Sequence, residues 1–140
     1  MKRVLIFVFV LISFYMFSQK IALVENNDII FSEVHINEVT VEALFNILSS
    51  YENSFVPKNI LIAYYFVDTA LILDFNSSLI QDYSAEQEVL FLLQVLYTLF
   101  DNINGIDRIY ILLDGKQTNL LVKYINIYFS FPKDLYKIPN

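Results

Sequence analysis

The sequence contains no cysteine, two glycines, three prolines and a single histidine among its 140 residues. Without cysteine there can be no disulfide, no thiolate zinc site and no lipid-anchor cysteine. Two glycines are too few for a P-loop or a dinucleotide-binding fingerprint, so two large classes of enzyme are excluded. With His35 as the one histidine and no GxSxG motif, transition-metal ligation and a Ser-His-Asp triad are both disfavoured.

Positive charge is also scarce, with 9 basic residues against 15 acidic ones and a net charge of −6. Binding to a phosphate backbone needs clustered lysine and arginine, and Lys2-Arg3 is the one adjacent basic pair. Nucleic acid is therefore not an expected partner. Hydrophobic residues make up 56% of the chain, which is ample for a packed core in one domain.

The N-terminus begins with Lys2 and Arg3, followed by an apolar run from Val4 to Phe17. This pattern is typical of a secretory signal, and the run is shorter than the roughly 20 residues of a spanning helix. No small-x-small cleavage site follows, so a cleaved signal peptide and an uncleaved membrane anchor over residues 1–19 both remain open. Either predicts one exported domain over residues 20–140, with residues 4–17 as the membrane segment. The alternative is a buried N-terminal element of the domain.

Hydrophobic periodicity predicts the order β-β-α-β-β-α-β, with a short last strand around Tyr124–Phe129. The predicted elements are strands Lys20–Val24 and Ile29–Ile36, a helix within "TVEALFNILSSY", strands Ile60–Val67 and Ala70–Phe75, helix Glu86–Phe100 and strand Arg108–Leu113. Hairpins and helices are mixed. We therefore expect an α+β fold, a small mixed sheet with two helices on one face, preceded by the N-terminal hydrophobic helix.

The helix Glu86–Phe100 is apolar almost all round. Ser84 is a good N-cap residue, and Glu88 lies at roughly the distance of a capping-box partner. A helix of this kind is fully buried or shares a second face with a partner, and full burial is hard to arrange in a small domain. The sequence therefore predicts a partner face centred on Leu90, Phe91 and Val95.

Aspartates stand at the ends of predicted strands. Asp74 and Asp114 each end a strand, Asp68 ends a third, and Gly115 follows Asp114. Aspartate is a favoured turn residue because its side chain accepts hydrogen bonds from backbone N–H groups nearby. We interpret these residues as structural turns, with no catalytic, metal or cofactor site. The alternative is a calcium-binding protein or a metal-dependent hydrolase that uses Asp74 and Asp114.

Tyrosines are frequent and could line a pocket. Six tyrosines are candidates for such a surface, namely Tyr64, Tyr65, Tyr97, Tyr110, Tyr124 and Tyr128. Core or interface packing is the simpler explanation for amphipathic side chains of this kind. An exported ligand-binding domain with a tyrosine-lined pocket is the third alternative.

From Ile60 to Lys116 the chain resembles the GerMN domain of bacterial sporulation and spore-germination proteins. The resemblance lies in "ALILDFNSSLI", in the helix "EQEVLFLLQVLYTLF" and in the strand and turn "IDRIYILLDGK", which come in the family's order. Upstream, "VEALFNILSS" resembles the family's first helix. Two segments depart from the family pattern: "ENSFVPKN" is short, and "LLVKYINIYFSFPK" lacks a Gly-His pair.

The resemblance implies a protein without enzymatic activity or cofactor. GerMN domains are similar to ring-building motifs, small α+β modules that pack side by side in assemblies of the cell envelope. We therefore expect an interaction or scaffold module, held outside the cytoplasmic membrane by its N-terminal segment. Its partner would be an envelope protein or a second copy, bound through a helix face or a sheet edge.

Overall fold

A computed structural model describes residues 18–139, so the predicted signal or anchor segment of residues 4–17 lies outside the described residues. Within them, the main elements are β1 (Ser18–Glu25), β2 (Asp28–His35), α1 (Val41–Leu48), β3 (Leu61–Val67), β4 (Ala70–Phe75), α2 (Ala85–Asn102), β5 (Arg108–Leu113) and β6 (Phe131–Pro132). Short 3-10 turns lie at Ser77–Leu79 and Lys133–Leu135. The first seven elements follow the predicted order.

The strands form two sheets. β1 and β2 make an antiparallel hairpin, and β3, β4, β5 and β6 lie side by side in that order in a second sheet. β4 and β5 are parallel, whereas the β3–β4 and β5–β6 pairs are antiparallel, so the larger sheet is mixed as expected. Parallel neighbours need a crossover connection, and α2 supplies it between β4 and β5.

The core lies between the larger sheet and the helices. Alternate residues of β4 and β5 face it, because side chains along a strand point to opposite faces; they are Leu71, Leu73, Phe75, Ile109, Ile111 and Leu113. Phe75 stands at the centre, with its ring centroid 5.7 Å from that of Phe45 on α1 and 5.4 Å from that of Phe91 on α2. Both rings meet it edge-on, an arrangement that the aromatic quadrupole favours.

A polar stripe on α2 covers the free edge of β1. Gln94, Thr98 and Asn102 are spaced four residues apart and so lie on one side of the helix. The amide nitrogen of Ala22 donates to Thr98 Oγ1 at 2.9 Å, and Gln94 Nε2 donates to the Ala22 carbonyl at 3.1 Å. Asn102 Nδ2 donates to the Lys20 carbonyl at 2.7 Å. Side chains thus take the place of a neighbouring strand.

The side chain of Glu88 is fully buried and holds the loop after β5. Its carboxylate accepts hydrogen bonds from four consecutive backbone N–H groups, those of Val122, Lys123, Tyr124 and Ile125, at 2.8–3.3 Å. Hydrogen bonds to a charged acceptor are about twice as strong as neutral ones. One carboxylate on α2 therefore fixes a segment more than thirty residues away.

The same contact corrects two predictions. The expected strand around Tyr124–Phe129 is not formed, since the amide groups at its start point at Glu88 and not along a strand ladder; the last strand is Phe131–Pro132. Glu88 is also not the capping-box residue. Gln87 fills that position: Gln87 N donates to Ser84 Oγ, and Gln87 Oε1 accepts from Ser84 N at 3.0 Å.

Replacing Glu88 with glutamine should destabilise the domain by about 3 kcal/mol, because the neutral amide turns two donors towards backbone N–H groups that need an acceptor. Urea unfolding measures the loss, and hydrogen exchange at residues 122–125 should accelerate. Glu86→Gln, on the exposed side of the same helical turn, is the control and should change stability by less than about 0.5 kcal/mol. Equal effects of the two substitutions would contradict the role given to Glu88.

Candidate interaction surface

Asp74 and Asp114 lie at the same edge of the larger sheet, as the parallel pairing of β4 and β5 requires. Asp74 is buried, and its Oδ1 accepts a hydrogen bond from the Gly115 amide at 2.8 Å. Asp114 accepts from the Ser77 amide at 3.2 Å and from the Ser77 hydroxyl at 2.5 Å. Each carboxylate therefore ties down the segment that follows the other strand.

Asp114 and Gly115 form the turn after β5. Their φ angles are 51° and 75°, in the left-handed region where glycine is unstrained and aspartate is better tolerated than most residues. The turn is closed by hydrogen bonds in both directions between Leu113 and Lys116. A Cβ at position 115 would lie 3.8 Å from Asp74 Oδ2, so the carboxylate packs directly on the glycine. These are the contacts of turn residues.

Asp68 does not join the other two carboxylates. It lies in the turn before β4, whereas Asp74 lies near the far end of that strand, about 20 Å away at 3.3 Å per residue. Across residues 18–139, no three acidic, histidine or cysteine side chains are grouped so that they could hold a metal ion. The three strand-end aspartates are therefore not brought together into one site in this part of the chain.

The Asp114–Ser77 contact should make stability depend on pH. Hydrogen bonds from the Ser77 hydroxyl and amide hold the pKa of Asp114 below its ordinary value, with Lys116 adding a smaller effect in the same direction. A depressed folded-state pKa contributes stability above the unfolded pKa of about 3.9, and this contribution is lost as pH falls through the folded value. Asp114→Asn should therefore be less stable than the natural chain at pH 6, and the difference should shrink below about pH 4.

Thermal melting across this pH range measures the effect. Asp68→Asn is the matched control, because it makes the same change at another left-handed turn position, at the opposite end of β4 from Ser77. Adding Ca²⁺ or Mg²⁺ at pH 7 tests the alternative: a rise in melting temperature that Asp74→Asn or Asp114→Asn removes would establish a metal site.

The predicted partner face on α2 is wrong, because all three of its residues are buried. Leu90 is 5% exposed, and Phe91 and Val95 are fully buried. α2 is covered from two sides: Phe91 packs on Phe75 of the larger sheet, and Tyr97 packs on Phe31 of the hairpin with ring centroids 5.3 Å apart. The small domain does bury this helix, since the hairpin lies over the side that the sheet leaves open.

A charge at Phe91 should therefore unfold the domain. Phe91→Asp buries an unpaired carboxylate and removes a core ring, at a cost on the order of 4 kcal/mol or more, which is close to the whole stability of many domains. Val89→Asp is the matched control, because Val89 is 43% exposed two residues earlier on the same helix. Circular dichroism and urea unfolding distinguish the two. A folded Phe91→Asp variant would restore the helix face as a candidate surface.

Four exposed large apolar residues lie together on β3 instead. Ile62, Tyr65, Phe66 and Val67 are each more than half exposed. β3 is an edge strand of the larger sheet and pairs with β4 alone. A run of large exposed apolar side chains on one element is typical of an interaction site.

The open face of the larger sheet continues this surface. Across three strands, the register places Tyr65 beside Ile72 and Ile72 beside Tyr110, and the latter two are half-buried. Arg108 forms an ion pair with its neighbour Asp107 at 2.7 Å at the edge of this face. The sheet therefore presents an apolar row to solvent, bordered by charge.

The six tyrosines do not line one pocket. Tyr64 donates a hydrogen bond to Glu42 at 2.9 Å, and Tyr97 packs between the hairpin and the C-terminal segment. Tyr124 and Tyr128 are exposed on the loop after β5, and Tyr128 packs on Phe129. Their separation favours packing and surface roles over a shared ligand site.

The fold defines the class of protein. The chain is similar to the first GerMN domain of the sporulation protein GerM from Bacillus subtilis (TM-score 0.60, 15% identity), over 82% of this chain and 95% of that one. It is also similar to the tandem GerMN domains of the same protein (TM-score 0.61, 16% identity), covering 76% of this chain and 42% of the tandem structure. A third similar structure is a Clostridium perfringens protein described as a "putative lipoprotein" (TM-score 0.58, 19% identity), with 89% and 96% of the two chains covered.

The sequence identifies the family as well. The family described as "Germane: Sporulation and spore germination" matches residues 14–119, well over half of the chain, and the chain therefore belongs to this family. The resemblance to GerMN domains and the α+β fold are both confirmed. No curated protein matches the chain. Neither helix within residues 18–139 has the length and apolar character needed to cross a membrane.

Proposed function

We propose that the chain is an exported interaction module of the cell envelope, without catalytic activity, held at the membrane by residues 4–17. Membership of the germination family and the likeness to a structure described as a lipoprotein support a position outside the cytoplasm. The positive pair Lys2-Arg3 before an apolar run is consistent with this, since the positive end of such a segment stays inside.

The exposed apolar strand β3 is the observation that carries the interaction role. The two basic residues of the N-terminal segment leave residues 18–140 with a net charge of −6 − 2 = −8. In a domain this acidic, most of the surface repels a second acidic surface, whereas β3 has no charged residue from Leu61 to Val67. An uncharged apolar strip of this kind favours a protein partner over nucleic acid.

The strand-end carboxylates support a non-enzymatic role. Asp74 accepts a hydrogen bond from the Gly115 amide, and Asp114 accepts from the Ser77 amide and hydroxyl, so both carboxylates hold turns. His35 lies on β2, in the other sheet from these two aspartates. An interaction module needs no grouping of acid, base and nucleophile.

Export can be tested directly, because the chain has no cysteine of its own. Tyr124→Cys places one thiol on a side chain that is 64% exposed. In intact cells, a membrane-impermeant maleimide should label this thiol on the full-length chain. The same variant produced without residues 1–17 should be labelled only after the cells are permeabilised. Protection of the full-length chain in intact cells would overturn the exported location.

A further inference from the structure

We propose that two copies of the chain pair through β3, antiparallel and side by side, so that their four-stranded sheets join into one. This deepens the proposed function and rests on it, since the partner of the interaction module becomes a second copy. The pairing surface is the outer edge of Leu61–Val67, called here the β3 edge.

The β3 edge lacks most of the usual protection of an edge strand. Natural proteins block such edges with lysine, proline, inward-pointing charge, β-bulges, or a covering helix or loop. β3 has one bulge, between Leu61 and Ala63, and Ala63–Val67 beyond it keep a regular register. β3 reads LIAYYFV, without charge or proline, and no strand of residues 18–139 pairs with its outer side. Its backbone N–H and C=O groups can therefore pair with another strand.

Other sheet edges in residues 18–139 are protected. The free edge of β1 is closed by the polar stripe of α2, and Asn53 adds two hydrogen bonds with Val24. β2 begins at Asp28 and carries an exposed Glu33. β6 is two residues long and includes Pro132. The contrast within one small domain indicates that β3 is left open for pairing.

Charge at the two ends of β3 favours a second copy. Lys58 and Asp68 are exposed, and neither forms an ion pair with any residue of 18–139. Each lies five positions from Ala63. Lys58 lies in the turn before β3 and Asp68 in the turn after it. When two copies pair antiparallel about a two-fold axis at Ala63, the start of each β3 lies beside the end of the other, which brings Lys58 of each copy near Asp68 of the other. The β3 edge is thus uncharged in its centre, and the charges near its two ends are opposite in sign.

The symmetry of this pairing limits it to two copies. An antiparallel pair of identical strands is isologous, so each copy uses the same surface and the contact closes on itself. The bulge between Leu61 and Ala63 lies near the axis and leaves Ala63–Val67 in regular register with β4. Beside the edge, a groove of about 320 Å³ lined by Val39, Tyr64 and Phe66 gives room for apolar side chains of the second copy.

Cysteine cross-linking of the full-length chain in membranes tests the pairing. At the axis Ala63 faces itself, and residues that face each other across antiparallel strands have Cα atoms about 4.5–5.5 Å apart, within the range of a disulfide. Ala63→Cys should therefore give a disulfide-linked dimer under mild oxidation. Glu33→Cys, on the exposed part of β2, is the control and should stay monomeric.

Producing two single-cysteine variants together tests which residues of the two β3 strands lie near one another. Lys58→Cys and Asp68→Cys should each cross-link poorly alone and should link to one another when the two variants are produced together. Cross-linking of Glu33→Cys in place of Ala63→Cys would overturn the proposal. A monomer in which the β3 amides resist hydrogen exchange would also overturn it, because the chain's own N-terminal segment would then occupy the edge.

Charge reversal gives a second, independent measurement. Lys58→Glu and Asp68→Lys each create two like-charge pairs per dimer and should weaken dimerisation of the detergent-solubilised chain about tenfold, as sedimentation measures it. The double variant restores opposite charges and should recover the natural affinity, whereas Glu52→Lys, exposed elsewhere, should have no effect. A chain that is labelled outside the cell but stays monomeric here would overturn the β3 pairing and leave the exported interaction module intact.

Discussion

Burial of most of the surface of α2 is the constraint on which the rest of the domain depends. The helix is apolar almost all round, and leaving its apolar surface in water would forfeit hydrophobic stabilisation of about 25 cal/mol per Å². One sheet cannot cover a helix completely, so the β1–β2 hairpin packs on the opposite side, and the loop after β5 covers the N-terminal end. The hairpin, sheet and loop are separate in sequence and are joined through this one helix.

Polar side chains on α2 determine how those parts dock. Hydrophobic burial is not directional, whereas the hydrogen bonds of Thr98 and Gln94 to Ala22 fix the position of β1 along the helix. Glu88 does the same for the loop through four backbone amides. No buried side-chain nitrogen or oxygen within residues 18–139 is left without a partner. A displaced hairpin or loop would leave such groups unsatisfied, which costs about 1–3 kcal/mol each.

Local patterns predicted most of the fold and little of the site. The bounds of β4 and β5 agree with the prediction, since alternation and turn residues are local signals. Periodicity could not distinguish a face of α2 that packs in the core from a face that binds a partner. The segments that cover Phe91 and Tyr97 are distant in sequence. Glu88 looked like a capping residue, and its burial depends on residues 122–125, which follow it by more than thirty positions. The nearly continuous apolar character of β3 is typical of a covered central strand as well as of a strand with a partner, so this local pattern did not identify β3 as an exposed edge.

The edges of β1 and β3 differ in how they are protected, and this difference bears on which surface a partner would bind. Closing the edge of β1 takes three side chains of α2, and two of them, Gln94 and Thr98, are completely buried polar groups. Buried polar groups cost free energy unless they are fully hydrogen-bonded, so this protection is a specific feature of the fold. β3 has no such cover and exposes apolar side chains in a domain of strong negative charge. An edge that is both uncharged and uncovered is a ready template for pairing with another strand, and in the proposed dimer a second copy offers the same strand with opposite charges near its two ends.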